Sequence, residues 1–220
     1  MRINADFSLR ASVTPDAYRW VPSPQAGVER VMLDRVGAEI ARATSIVRYA
    51  PQSSFPAHQH PGGEEILVLA GTFSDETQDY PAGWYLRNPP GSSHRPSSRE
   101  GATIFVKLWQ MHPAQSLSVR IDTRNPASWV QEGERWVCPL FADARETVQL
   151  QRLMPGQAVA IDGVDLTELL VLEGVLQEAD AVLECGSWLR LPVHHRPALC
   201  AGAQGVTIYL KTTQTQESMP

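Results

Sequence analysis

Short apolar runs of strand length recur along the whole chain, divided every eight to twelve residues by proline or glycine. Runs such as "ATSIVRY", "EILVLAGTF", "TIFVKLW", "TVQLQRL", "ELLVLEGVL" and "VTIYLK" are rich in valine, isoleucine, leucine and aromatics. Such side chains favour a pleated, half-buried surface, and turn residues at regular spacing predict an all-β sandwich or barrel. No stretch keeps the 3.6-residue spacing of an amphipathic helix for more than a turn or two.

The pattern also repeats, with a period of about 103 residues. "EILVLAG" at Glu65 returns as "ELLVLEG" at Glu168, and "GWYLRNP" at Gly83 returns as "GSWLRLP" at Gly186. "HRP" at His94 recurs at His195, "GATIFVKL" at Gly101 pairs with "GVTIYLKT" at Gly205, and "TSIVRYAPQ" pairs with "VQLQRLMPG". Five matches in one order mean duplication. Two β units are expected, residues 1–123 and 124–220, joined near Arg124 to Ser128 and packed through a shared face.

Composition narrows the function. The 220 residues are 43% hydrophobic and 20% charged, as in a soluble globular protein. A net charge of -5 and scattered lysines and arginines leave no footprint for nucleic acid. The first twenty residues lack the apolar core of a signal peptide, and no run approaches the ~20 apolar residues of a membrane helix. Cys138, Cys185 and Cys200 are odd in number and form no CxxC, so the expectation is a reducing compartment, the cytoplasm. Exposed strand edges would allow a homodimer. A small-molecule ligand is compatible with this chain, and no protein partner is identified by it.

Candidate chemistry gathers in "FPAHQHPGGEEILVLAG", Phe55 to Gly71. Residues i and i+2 share a face in a strand, so His58 and His60 can chelate one ion from an extended segment. The "PGG" that follows turns the chain back, bringing Glu64 or Glu65 toward them. "NPPGSSH" sets His94 behind a rigid turn. Imidazole nitrogens with one carboxylate suit zinc, iron, manganese, nickel or copper.

These spacings resemble a known family. "HQHPGGEEILVLAG" resembles the first cupin motif, HxH-x(3,4)-E-x(6)-G, and "GWYLRNPPGSSH" the second, G-x(5)-PxG-x(2)-H. More narrowly, the stretch from Gly71 to Gln110 is similar to the cupin domain of ChrR-type anti-sigma factors and to acetylacetone dioxygenase-like cupins. The resemblance implies tandem jelly-roll barrels, a bicupin, with one divalent metal held by His58, His60, Glu64 and His94. It also implies zinc in a stress sensor, or iron in a dioxygenase acting on a dicarbonyl-like molecule. Two positions depart from the motifs: Gln52 stands where a glycine is expected, and Ser98 where an asparagine often closes the second motif. The ChrR-type proteins bind their sigma factor through a helical zinc domain with a CxxC, which this sequence lacks, so anti-sigma activity is not carried over.

Glu64 is preferred to Glu65 on three grounds. Counting E-x(6)-G back from Gly71 reaches Glu64, which also keeps the parity of His58 and His60. In the second unit Ile161, Gly163 and Thr167 replace His58, His60 and Glu64, whereas Glu168 retains Glu65. A glutamate kept where the ligands are gone is structural. The second unit is therefore expected to be a degenerate cupin without metal, since His195 alone holds no ion. Phe55, Trp84, Leu86, Ile104 and Val106 are expected near the barrel interior, and Arg87, echoed by Arg190, in a structural ion pair. No catalytic residue apart from the ligand set is identified.

Overall fold

In strands of this chain, apolar side chains on one face are buried together while their neighbours point the other way. The computed structural model, which describes residues 1–38, 40–161, 165–179 and 181–214, is almost entirely antiparallel β-structure. Among the described residues the helices are two single 3-10 turns, and none is long and apolar enough to cross a membrane.

In the first unit the main strands are β1 (Val28–Gly37), β2 (Ala41–Tyr49), β3 (His58–Gln59), β4 (Glu64–Ser74), β5 (Trp84–Asn88), β6 (Ser93–His94) and β7 (Ala102–Leu108). The sheet runs β1-β2-β7-β4-β5 and ends on Val119–Asp122, while β3 and β6 form a separate ladder. The second unit has β8 (Arg135–Ala142), β9 (Glu146–Leu153), β10 (Leu166–Glu178), β11 (Trp188–Leu191) and β12 (Leu199–Thr213), ordered β8-β9-β12-β10-β11. The two orders correspond strand for strand, and so do the registers: Glu65 pairs Arg87 and Lys107, Glu168 pairs Arg190 and Lys211.

The first core is formed by Val28, Tyr49, Ile66, Val68, Phe73, Leu86, Ile104 and Val106, with Phe55 and Trp84 partly buried against it. All five interior residues expected from the sequence are in it. On the opposite face of the same strands a polar row crosses the sheet through Arg87, Glu65, Lys107, Thr44 and Asp34, every member buried. Burying charge is costly unless it is paired. Arg87 Nη1 lies 3.1 Å from Glu65 Oε2, Lys107 Nζ donates to Thr44 Oγ1 at 3.0 Å, and the Thr44 amide donates to Asp34 Oδ1 at 3.0 Å. The second unit varies the theme: Lys211 pairs with Glu146 at 2.8 Å, and Trp188 Nε1 donates to Glu168 Oε1 at 2.7 Å.

The units are not contiguous in sequence as the repeat suggested. Met1–Ala5 and Arg19–Asn125 form one, while Asp6–Tyr18 joins the chain from Pro126 in the other. Ala11–Val13 pairs with β11 just as Val119–Asp122 pairs with β5. Arg10 grips the Glu178 carboxylate with Nη1 and Nη2, and Tyr18 Oη donates to the Gly186 carbonyl at 2.5 Å. A three-residue strand carries no pattern of its own, so its partner was not legible in the sequence.

Both copies bulge at one place. The β4–β7 ladder skips Leu69 and the β10–β12 ladder skips Leu172, and each bulge is followed by a glycine at positive φ, Gly71 at 67° and Gly174 at 74°. A Cβ on Gly71 would lie 2.0 Å from the Gly101 carbonyl oxygen; on Gly174 it would lie 2.2 Å from that of Gly205. Gly91 has φ 83° but open space where its Cβ would be. An L-residue in this region costs roughly 1–2 kcal/mol, so Gly91→Ala should lower Tm by a few degrees. Gly71→Ala adds a backbone collision and should lower it distinctly more in thermal denaturation. Equal losses would mean that the close approach does not matter.

Candidate metal centre

The His58–His60 segment is held by backbone bonds before any metal chemistry enters. His58 on β3 lies directly across the ladder from His94 on β6. The His60 amide donates to the Ser92 carbonyl at 2.9 Å, and the Gly91 amide returns a bond to the His60 carbonyl at 2.9 Å. The proline-glycine turn thus fixes His94 beside both other histidines. The chain then turns at Gly62 and Gly63, where the Gly63 amide donates to the His60 carbonyl at 3.1 Å. Cβ atoms there would strike Trp109 at 2.5 Å and the Met111 sulfur at 2.4 Å, so only glycines let this turn lie so close and start β4 at Glu64.

One ligand atom from each of His58, His60, Glu64 and His94 falls within 4.8 Å of all the others, a cluster that could hold a metal ion. The imidazole centroids are 4.6 to 5.2 Å apart and the rings stand nearly perpendicular, at 72° to 80°. Edges rather than faces meet, as they do when lone pairs converge. Glu64 Oε2 lies 3.4 Å from His60 Nε2 and 3.3 Å from His94 Nε2. Neither contact has hydrogen-bond geometry, and the two Nε2 atoms and His94 Nδ1 are buried without a hydrogen-bond partner. Donors sharing one ion at about 2.1 Å are separated by roughly 3.0 to 3.4 Å. The orphaned nitrogens and their spacing fit an ion between them.

Electrostatics points the same way. Burial is the main cause that lowers the His60 pKa to about 4, with His58 nearby adding to it. Burial also lowers that of His94, although the Glu64 carboxylate opposes the shift. Both imidazoles are neutral at pH 7 and offer lone pairs without first losing a proton. His58 Nδ1 is 3.0 Å from the Pro56 carbonyl; donating there leaves Nε2 free for an ion.

Glu64 is oriented from behind. Asn88 Nδ2 donates to Glu64 Oε2 at 2.9 Å, and Arg120 Nη2 donates to Asn88 Oδ1 at 2.6 Å. Glu65 points to the other face and pairs with Arg87. In the second unit Thr167 occupies the Glu64 register, opposite Leu191 where Asn88 stands in the first. Gly163, the counterpart of His60, lies outside the described residues; His194 is an exposed turn residue. The two motif departures are also accounted for. Gln52 adopts φ 62°, the conformation a glycine would take, and Ser98 is buried and donates to the Thr72 carbonyl at 2.6 Å.

The cluster opens on a cavity of about 460 Å³ inside the first barrel. His58, His60 and Glu64 line it, with Phe55, Ile104 and Val106 among its apolar walls. Sequence reasoning missed Asn88, Arg30, Arg35 and Tyr49 as residues of this region.

Residues 8–112 match the family described as the ChrR cupin-like domain. The fold is a cupin fold. Solved structures agree over both units at identities that speak for the fold alone. A candidate dioxygenase from Nostoc punctiforme has TM-score 0.73 and 16% identity, covering 96% of this chain and 81% of its own. A candidate glyoxylate-induced protein from Pseudomonas aeruginosa has TM-score 0.72 and 19% identity, with 98% and 94% covered. The pirin YhhW from Escherichia coli, solved in complex with nickel(II), has TM-score 0.63 and 12% identity, with 94% and 99% covered. No curated protein matches the sequence.

Two outcomes are expected of this site. His94→Ala should weaken zinc binding by on the order of 100-fold or more, beyond the 10- to 100-fold expected for Asn88→Ala, in competition with a chelating dye. Unchanged affinity in His94→Ala would remove His94 from the ligand set. The second concerns acid. The folded metal-free state keeps His60 neutral down to about pH 4, whereas an unfolded histidine takes up its proton near 6.5. The unfolded state therefore binds more protons in that window, and stability is lost as pH falls through it. The Tm of chelator-treated protein should drop from pH 6.5 toward 4, and His60→Leu should flatten that drop.

Proposed function

We propose that the first cupin unit holds one divalent metal ion on His58, His60, Glu64 and His94 and acts on a small organic molecule in the adjoining cavity. The reading is carried by one observation: three of the four ligand residues form part of the wall of a cavity of about 460 Å³. That volume is within the range of small-molecule sites. A purely structural metal site is closed by its protein ligands and needs no such chamber. Dioxygenase chemistry on a dicarbonyl-like molecule is the reaction class proposed, with iron as the metal.

Bound divalent iron would supply dioxygen activation. The protein's own groups set the conditions. Three neutral imidazoles and one carboxylate leave a divalent ion with a net charge near +1, which favours an anionic or enolic oxygen. Ile104, Val106 and Leu108 keep the chamber apolar, so charges within it act at low dielectric. Tyr49 lines the same cavity; burial, and then the Glu64 charge, raise its pKa far above the ordinary phenol range. It remains a hydrogen-bond donor and does not act as a base. Asn88 and Arg120 hold the Glu64 carboxylate at one angle, which limits the ways the site can relax.

The match of residues 8–112 to the ChrR cupin-like domain favours a second reading, a sensor with zinc bound by all four side chains. Metal analysis of the purified protein, then oxygen uptake by the iron-loaded form with acetylacetone, separates the two. The enzyme reading predicts uptake that is lost in Glu64→Ala. Stoichiometric zinc with no uptake by the iron form would favour the sensor.

A further inference from the structure

Arg30 stands out in the first barrel as a cation on a row of apolar interior residues. Across the sheet it pairs with Val47, Val47 with Ile104, and Ile104 with Val68; Ile104 and Val68 are in the core and Val47 packs against it. Cross-strand partners share a face, so Arg30 projects from β1 toward the interior, and it lines the cavity. Its Nε is buried and, among the described residues, has no hydrogen-bond partner. Arg30 as a whole is half-buried, so the buried Nε is the part of this charged group that an anion in the cavity would satisfy.

None of the described residues that line the cavity supplies such an anion. Among those described residues Glu64 is the one carboxylate, and it faces the clustered histidines and Asn88. Arg35, the other cation of the lining, is committed locally, giving Nε at 3.1 Å and Nη2 to the Ala38 carbonyl. Among the described residues the lining therefore carries two positive groups against one negative group. Its remaining walls include Val28, Val47, Phe55 and Trp109, which suit an apolar body.

We infer that the cavity binds an organic carboxylate, its carboxylate on the Arg30 guanidinium and its apolar body against Val47, Phe55 and Ile104. Arg30 is then a substrate-positioning residue, and the far end of the molecule faces His58, His60 and Glu64. This deepens the metal-dependent reading but the Arg30 contact does not need the ion.

The test is calorimetric titration of the full chain, as purified with its metal content measured and again after chelation. The probes are butyrate, benzoate and 3-phenylpropionate, each beside its neutral amide. At least one acid should bind the wild-type protein with or without metal, and its amide at least about ten-fold more weakly, because a charge-assisted bond is lost. Arg30→Met should lose that preference while keeping its metal content; Arg30→Gln serves the same purpose if Arg30→Met does not fold. Failure of all three acids to bind, equal binding of acid and amide, or an unchanged preference in the variant would overturn the proposal. Acid binding through Arg30 in a protein that takes up no metal would leave it standing and sink the metal reading instead.

Discussion

The pairing register of β4 is the constraint from which site and fold both follow. Glu64 and Glu65 are adjacent, so the pleat sends them to opposite faces. One face gives Glu64 to three histidines; the other gives Glu65 to Arg87 and the buried polar row. A slip of one residue would turn each to the other face and set either Ile66 opposite Arg87 or Gly63 in the place of Glu64, so that one of the two sites would lose its acid. The register is pinned at both ends of the strand. Gly62 and Gly63 lie against Trp109 and Met111 before it, and the Leu69 bulge with Gly71 against the Gly101 carbonyl follows within it.

The second unit shows which of these constraints belong to the fold. It repeats the strand order, the bulge, the positive-φ glycine and the Glu168–Arg190 register. What it drops is the chemistry: Thr167 takes the place of Glu64, and Leu191 that of Asn88. The paired loss is physically coherent. Asn88 serves to orient a carboxylate, and where there is none a leucine can fill the interior without an unmet hydrogen bond.

Much of this was legible in the sequence because its signals are local. Turn residues at even spacing gave the strands, and the duplicated runs gave the two units. HxH with a following carboxylate and a distant histidine named the four clustered residues. Comparison of the copies distinguished Glu64 from Glu65. Other features were hidden because they depend on contacts between distant segments. Ala11–Val13 joins the second unit through three residues too short to show a pattern. Asn88 and Arg120 become partners only when β5 meets Val119–Asp122. Arg30 did have a signal: in "VERVML" it has the same parity as Val28 and Met32, a charge where the alternation calls for an apolar side chain. Whether such a residue faces a cavity is decided by the volume of its neighbours, which no alternation records.

The architecture thus divides its labour. The face of the first sheet that carries Glu65 is stabilised by paired charges, and the other carries a chamber with ligand atoms in its wall and a guanidinium among its apolar residues. X-ray absorption at the metal edge, recorded on protein loaded with one equivalent of zinc or iron, examines the heart of this arrangement. Three imidazoles and one carboxylate in the inner shell are predicted, from the four residues that converge. A shell of water and carboxylate oxygens without histidine scattering would contradict it.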